Sequence, residues 1–137
     1  MEPKYDPNLQ NAYILSADSI VDPNIEYHDR NHPVIQVLLD LAHWNNIIVI
    51  SGREEKYRPS VESWLTRYMR GIEGDKLWDT LFMRLTGDAR EAMIVEQEIY
   101  EYRIMGIYNV LGVFVDHLRG ARLWGCFNLP VFYVGKQ

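Results

Sequence analysis

The chain has 137 residues, a hydrophobic fraction of 47%, a charged fraction of 24% and a formal net charge of −5 at pH 7. That length fits one domain with a substantial core, and the negative balance excludes a global field that would draw nucleic acid to the surface, so any such contact needs a local patch. A single cysteine, Cys126, excludes an internal disulfide framework, and no apolar run approaches the roughly 18 to 20 residues of a membrane span.

In chain order, residues 1–10 read as an irregular, polar and turn-rich arm, unlike a secretory signal, and residues 11–137 as a single domain. Asn11 to Ser16 is a short apolar run that suits a buried strand. Residues 19–33 carry Pro23, Asn24, Asn31 and Pro33, the punctuation of a loop. From Val34 to Trp44, apolar residues at Val34, Val37, Leu38 and Leu41 predict an amphipathic helix. Ile47 to Ile50 is a continuous β-branched run, as expected of a strand covered on both faces. A helix from Pro59 to about Arg70 turns Val61, Trp64, Leu65 and Tyr68 inward. Leu81–Leu85 reads as a third strand, Asp88 to Met105 as a long helix and Val110–Val115 as a fourth strand. A short helix over 117–126 precedes a last strand, Val131–Val134. Strands alternating with helices imply parallel β-α-β units: a three-layer, Rossmann-like α/β fold with about five mainly parallel strands.

In such sheets ligands sit at the carboxyl ends of the strands. Four chemistry-bearing stretches fall there: Ser16-Ala-Asp-Ser-Ile20, Val49-Ile-Ser-Gly-Arg-Glu54, Gly87-Asp-Ala-Arg90 and Val113-Phe-Val-Asp116. Asp18 and Asp116 can each cap a following turn or helix. Ser51, Gly52 and Arg53 combine a small hydroxyl, a flexible backbone and a cation ahead of a helix, a pattern suited to an anion cradle; Arg90 is a second cation, or an exposed arginine. The run Arg53, Lys56, Tyr57, Arg58, Trp64, Arg67, Tyr68 and Arg70 is the best local patch for single-stranded nucleic acid, although Glu54, Glu55 and Glu62 dilute it and Trp64 and Tyr68 are spaced like core residues. Glu91, Glu96, Glu98 and Glu101 read as a solvated acidic face or part of a protein interface. His28, His32, His43 and His117 lack the spacing of a zinc helix. Cys126, in Leu-Trp-Gly-Cys-Phe, reads as a packing residue.

The four stretches, in this order, resemble the motifs of the haloacid dehalogenase superfamily, most closely the 3'-phosphatase domain of bacteriophage polynucleotide kinase. The resemblance implies a capless domain in which the strand ending at Ser16 lies between those ending near Ile50 and Val115. It puts Ser16 at the position of the nucleophilic, magnesium-binding Asp and keeps the general acid/base at Asp18. It assigns phosphate binding to Ser51, Gly52, Arg53 and Arg90. Glu96 stands where a Lys would neutralise the phosphate, and Val115 where the first of two metal-binding acids would stand, with Asp116 the second. In another register Asp116 and His117 form that pair and suit a softer metal.

Ser16, Glu96 and Val115 together imply a catalytically silent, phosphatase-like module for a protein partner or a phosphorylated or nucleic-acid ligand, with self-association open and no membrane. The alternative is an active phosphohydrolase for a nucleotide or polynucleotide 3'-end. No cofactor is expected in the first case; magnesium held by Asp18 and Asp116 is expected in the second. The expected setting is the cytoplasm, that of the host if the protein is phage-encoded.

Overall fold

A computed structural model describes residues 4–16, 33–71, 73–116 and 118–133. Five strands form one sheet: β1 (Gln10–Ser16), β2 (Asn46–Glu54), β3 (Thr80–Arg84), β4 (Tyr108–Val115) and β5 (Val131–Tyr133). Their order is β3-β2-β1-β4-β5 and every pairing is parallel. The helices between them are α1 (Pro33–Ala42), α2 (Arg58–Tyr68), α3 (Ala92–Ile99) and α4 (Leu118–Gly125).

The strand pattern explains the three layers. Ile47, Ile48, Val49 and Ile50 are all fully buried, because alternate side chains enter two different cores. Ile47 and Val49 join Leu15, Ile35 and Leu38 of α1, and Val61, Trp64, Leu65 and Tyr68 of α2. Ile48 and Ile50 join Ile14, Val113 and Val115, with Tyr100, Ile104 and Trp124 from the opposite layer. Burying each such aliphatic side chain contributes about 2 kcal/mol, so a polar residue on β2 would be costly on either face. In the second layer Tyr100 meets Trp124 edge-on at 5.5 Å and Phe127 at 4.6 Å.

Successive strands run outward from β1 through β2 to β3, and the chain then crosses back to place β4 on the other side of β1. The strand order reverses between β1 and β4, and an open α/β sheet has its ligand crevice at the carboxyl ends of the strands at such a point. No cap domain interrupts the described residues, and only the 16 residues 17–32 lie between β1 and α1. Among the described residues no helix is long and apolar enough to cross a membrane.

Three local expectations are corrected. The core face of α1 is carried by Ile35 and Leu38 with Leu39, Leu41 and Ala42 packed beside them, while Val37 is exposed. Leu38 and Leu41 thus lie where expected, and Ile35 takes the place expected of Val37, since both satisfy a helical period with Leu38 and Leu41. The helix expected from Asp88 begins at Ala92, because residues 87–91 are held in an irregular turn, and it widens into a π-helical turn over Tyr100–Ile104. Cys126, expected to pack, is exposed one residue beyond α4, and Trp124 fills the core instead.

Candidate functional site

Ser16 closes β1 and is fully buried, paired in register with Ile50 of β2 on one side and Val115 of β4 on the other. β1 thus lies between the strands ending near Ile50 and Val115, as expected. The Ser16 hydroxyl donates to Glu96 Oε1 at 3.2 Å. Glu96 reaches it from α3, where the four-residue spacing of Ala92, Glu96 and Tyr100 lines one helix face, and it is 2% exposed. The acidic-face reading of α3 therefore fails at Glu96: Glu91 and Gln97 are exposed, but Glu96 turns inward. A carboxyl group from α3 and a hydroxyl from β1 thus face each other at the carboxyl end of the central strand.

Ser51 follows Ile50 on β2 and is 1% exposed; its Oγ accepts the Arg53 N–H at 3.2 Å. The bulged end of β2, Ser51–Glu54, is sewn to the turn over Gly87–Arg90. Arg84 Nε donates to the Gly52 carbonyl at 2.9 Å, and its Nη1 donates to the carbonyls of Asp88, at 3.1 Å, and Arg90. Glu54 Oε2 accepts the Gly87 N–H at 3.0 Å, and Thr86 Oγ1 accepts the Lys56 N–H at 3.1 Å. Gly87 sits at φ +90°, a conformation that any other residue would adopt under strain. Arg84, Glu54 and Thr86 were not distinguished by sequence pattern; the only signal was their closeness to the two glycine turns.

Arg90, expected as a phosphate cation, forks between two acids. It donates to Asp88 Oδ2 at 2.8 Å and to Glu98 Oε2 at 2.9 Å. Hydrogen bonds from Arg90 hold the Asp88 carboxyl down at about 2, lower Glu98 and raise Arg90 itself. This exposed fork sets one guanidinium between two carboxylates, so the Arg90 charge is already more than offset within the protein. The basic-aromatic run likewise does not form a continuous stacking surface. Arg58 is engaged by both oxygens of Glu55, at 2.7 Å, and by Glu62 at 3.3 Å, while Trp64 and Tyr68 are buried. Tyr57 remains half-exposed, with the Lys56 ammonium 5.3 Å from its ring centre.

Asp116 follows Val115 at the end of β4 and is partly buried. Asp18 and His117 lie outside the described residues. Magnesium needs several hard oxygen ligands, and the register partner of Ser16 on β4 is the apolar Val115. Among the described residues no group of three or more His, Cys, Asp or Glu side chains could hold a metal ion. The described side chains therefore do not fit a magnesium centre.

The sequence pattern that defines the polynucleotide kinase PNKP phosphatase domain matches residues 22–137. A protein of Autographa californica nuclear polyhedrosis virus, named for a bifunctional polynucleotide kinase/RNA ligase, is 25% identical over 114 residues, which are 82% of this chain and 16% of that protein. Chains from two solved structures of a Pnkp1/Rnl/Hen1 complex, one titled as an RNA repair complex, are 27% and 28% identical, with TM-scores of 0.78 and 0.79. The matches cover 98% and 96% of this chain but 45% and 48% of those chains, so it spans less than half of each. With the five-stranded order and this match in agreement, the chain belongs to the family of polynucleotide kinase phosphatase domains, in the haloacid dehalogenase superfamily.

Proposed function

We propose that the protein is a polynucleotide 3'-phosphatase-like module that binds without hydrolysing, serving a protein partner or a phosphorylated nucleic-acid end in RNA repair. The observation that carries this reading is the buried Ser16–Glu96 contact. A serine hydroxyl without a strong base is a poor phosphoryl acceptor, and a carboxylate at 3.2 Å from it opposes an incoming phosphoryl dianion. Val115 adds a third departure by placing an apolar side chain beside Ser16 in the sheet. Ser51 and the Gly52 backbone retain the form of an anion cradle, which supports recognition of a phosphorylated group without turnover. The complexes to which the solved relatives belong support a protein partner.

Incubation of a 3'-phosphorylated oligoribonucleotide with the protein and magnesium or manganese is expected to release no phosphate above background. A competing reading, a metal-dependent phosphohydrolase with a rearranged site using Asp18 and Asp116, is favoured only by the partly buried Asp116 at the crevice. Phosphate release that is abolished by Asp116→Asn would replace the first reading with the second.

A further inference from the structure

Arg84 contacts backbone alone in the bonds described above, and those bonds join both sides of the crevice. Its Nε holds the Gly52 carbonyl at 2.9 Å, while Nη1 holds the carbonyls of Asp88 and Arg90, just ahead of α3. In a trans peptide the carbonyl and the following N–H point in opposite directions. Fixing the Gly52 carbonyl toward Arg84 therefore aims the Arg53 N–H away from it, and that N–H donates to Ser51 Oγ. An oxygen that accepts from Arg53 must direct its own hydrogen elsewhere. The peptide between Gly52 and Arg53 is thus pinned at both ends, and the hydroxyl of a residue only 1% exposed is given an orientation. Hydrogen bonds in such a chain polarise one another.

We propose that Arg84 is the positioning residue for oxyanion recognition: acting through the Gly52–Arg53 peptide, it commits Ser51 to accept from Arg53 and so to donate its hydroxyl hydrogen to a phosphate oxygen. This rests on the phosphorylated-ligand reading of the crevice. Arg84 touches no ligand itself, and its charge is less important than its planar fork, which spans two turns at once. Lysine keeps the charge but not that geometry.

The test combines calorimetric titration of inorganic phosphate with the amide NMR signal of Arg53, in wild type, Ser51→Ala, Arg84→Met, Arg84→Lys and Ser51→Ala/Arg84→Met. Loss of one oriented donor is expected to weaken phosphate binding about tenfold in each single variant. The double variant should be no weaker than either single one, and the Arg53 signal should shift in all four variants. Arg84→Lys, the variant safest for folding, should match Arg84→Met. Additive losses in the double variant would overturn the proposal, because Arg84 would then act independently of Ser51. Phosphate binding with an Arg53 signal indifferent to Arg84 would overturn the positioning role alone. No phosphate binding by the wild type would overturn the ligand reading together with the recognition role.

Discussion

The two ends of the sheet bury polar side chains for different ends. At the amino end, Asn109 on β4 is 5% exposed and its amide makes four polar contacts: Oδ1 accepts from Asp6 N–H, and the two hydrogens of Nδ2 are shared among the carbonyls of Asp6 and Leu9 and Asn11 Oδ1. This neutral group staples residues 6–9 beneath the sheet. At the carboxyl end the buried polar pair is Ser16 with Glu96, which brings an ionisable group into the crevice. Burying a carboxyl group costs more than burying an amide, and a neutral residue could have served packing alone. The comparison sets a neutral amide that ties down backbone at the amino end against an ionisable carboxyl group buried beside a hydroxyl at the carboxyl end.

Ser16→Asp tests that contrast most severely. It would set two buried carboxyl groups against each other and is expected to destabilise the fold by about 3 kcal/mol. Adding Glu96→Lys should recover most of the loss by creating an ion pair, as read from urea melts of the single and double variants. The single variant should remain without magnesium-dependent phosphatase activity, since Val115 is unchanged; robust turnover would show that Glu96 and Val115 matter less than their positions suggest.

At the other end, Asn109→Leu should cost about 2 kcal/mol by stranding the Asp6 and Leu9 backbone groups. Hydrogen exchange should accelerate at the Asp6 amide while the β1–β2 ladder stays protected. Equal loosening at both ends would erase the distinction drawn above.

The smallest effect belongs to the exposed fork at Asp88. Its carboxyl titrates at about 2 rather than the usual 3.8 because Arg90 hydrogen-bonds the charged form. The interaction is therefore intact above about 4 and is lost as pH falls through about 2. In Arg90→Met the Asp88 midpoint, followed by NMR, should rise toward 3.8, and added salt should shrink the difference. An unchanged midpoint would remove Arg90 from the account of that turn.

Much of this arrangement was legible before any coordinates. The β-branched run at Ile47–Ile50 and the alternation of strands with helices define the sheet, because burial on two faces leaves a pattern with no polar interruption. The central place of Ser16 was implied by the resemblance of the four stretches to the haloacid dehalogenase superfamily. What escaped was tertiary. On α1 both Ile35 and Val37 fit a helical period with Leu38 and Leu41, and only packing selects Ile35. The late start of α3 depends on Arg84, whose carbonyl partners lie up to 32 residues away in sequence. Glu96 stood out by its motif position, yet its composition suggested a solvated acidic face; burial decided between the two.

The parallel pairing of β1 also has a consequence for the order in which the protein takes shape. Gln10 through Ser16 pair with Tyr108 through Val115, so the strand made first borders one made almost a hundred residues later. During synthesis Ile14 and Leu15 have one neighbour available in β2 well before the other exists. Until β4 leaves the ribosome, β1 is an exposed apolar edge, a form of strand that invites pairing with other chains. The crevice is accordingly a late product of folding, and fragments ending before Val115 would display a sticky edge in the place where the complete domain holds its site.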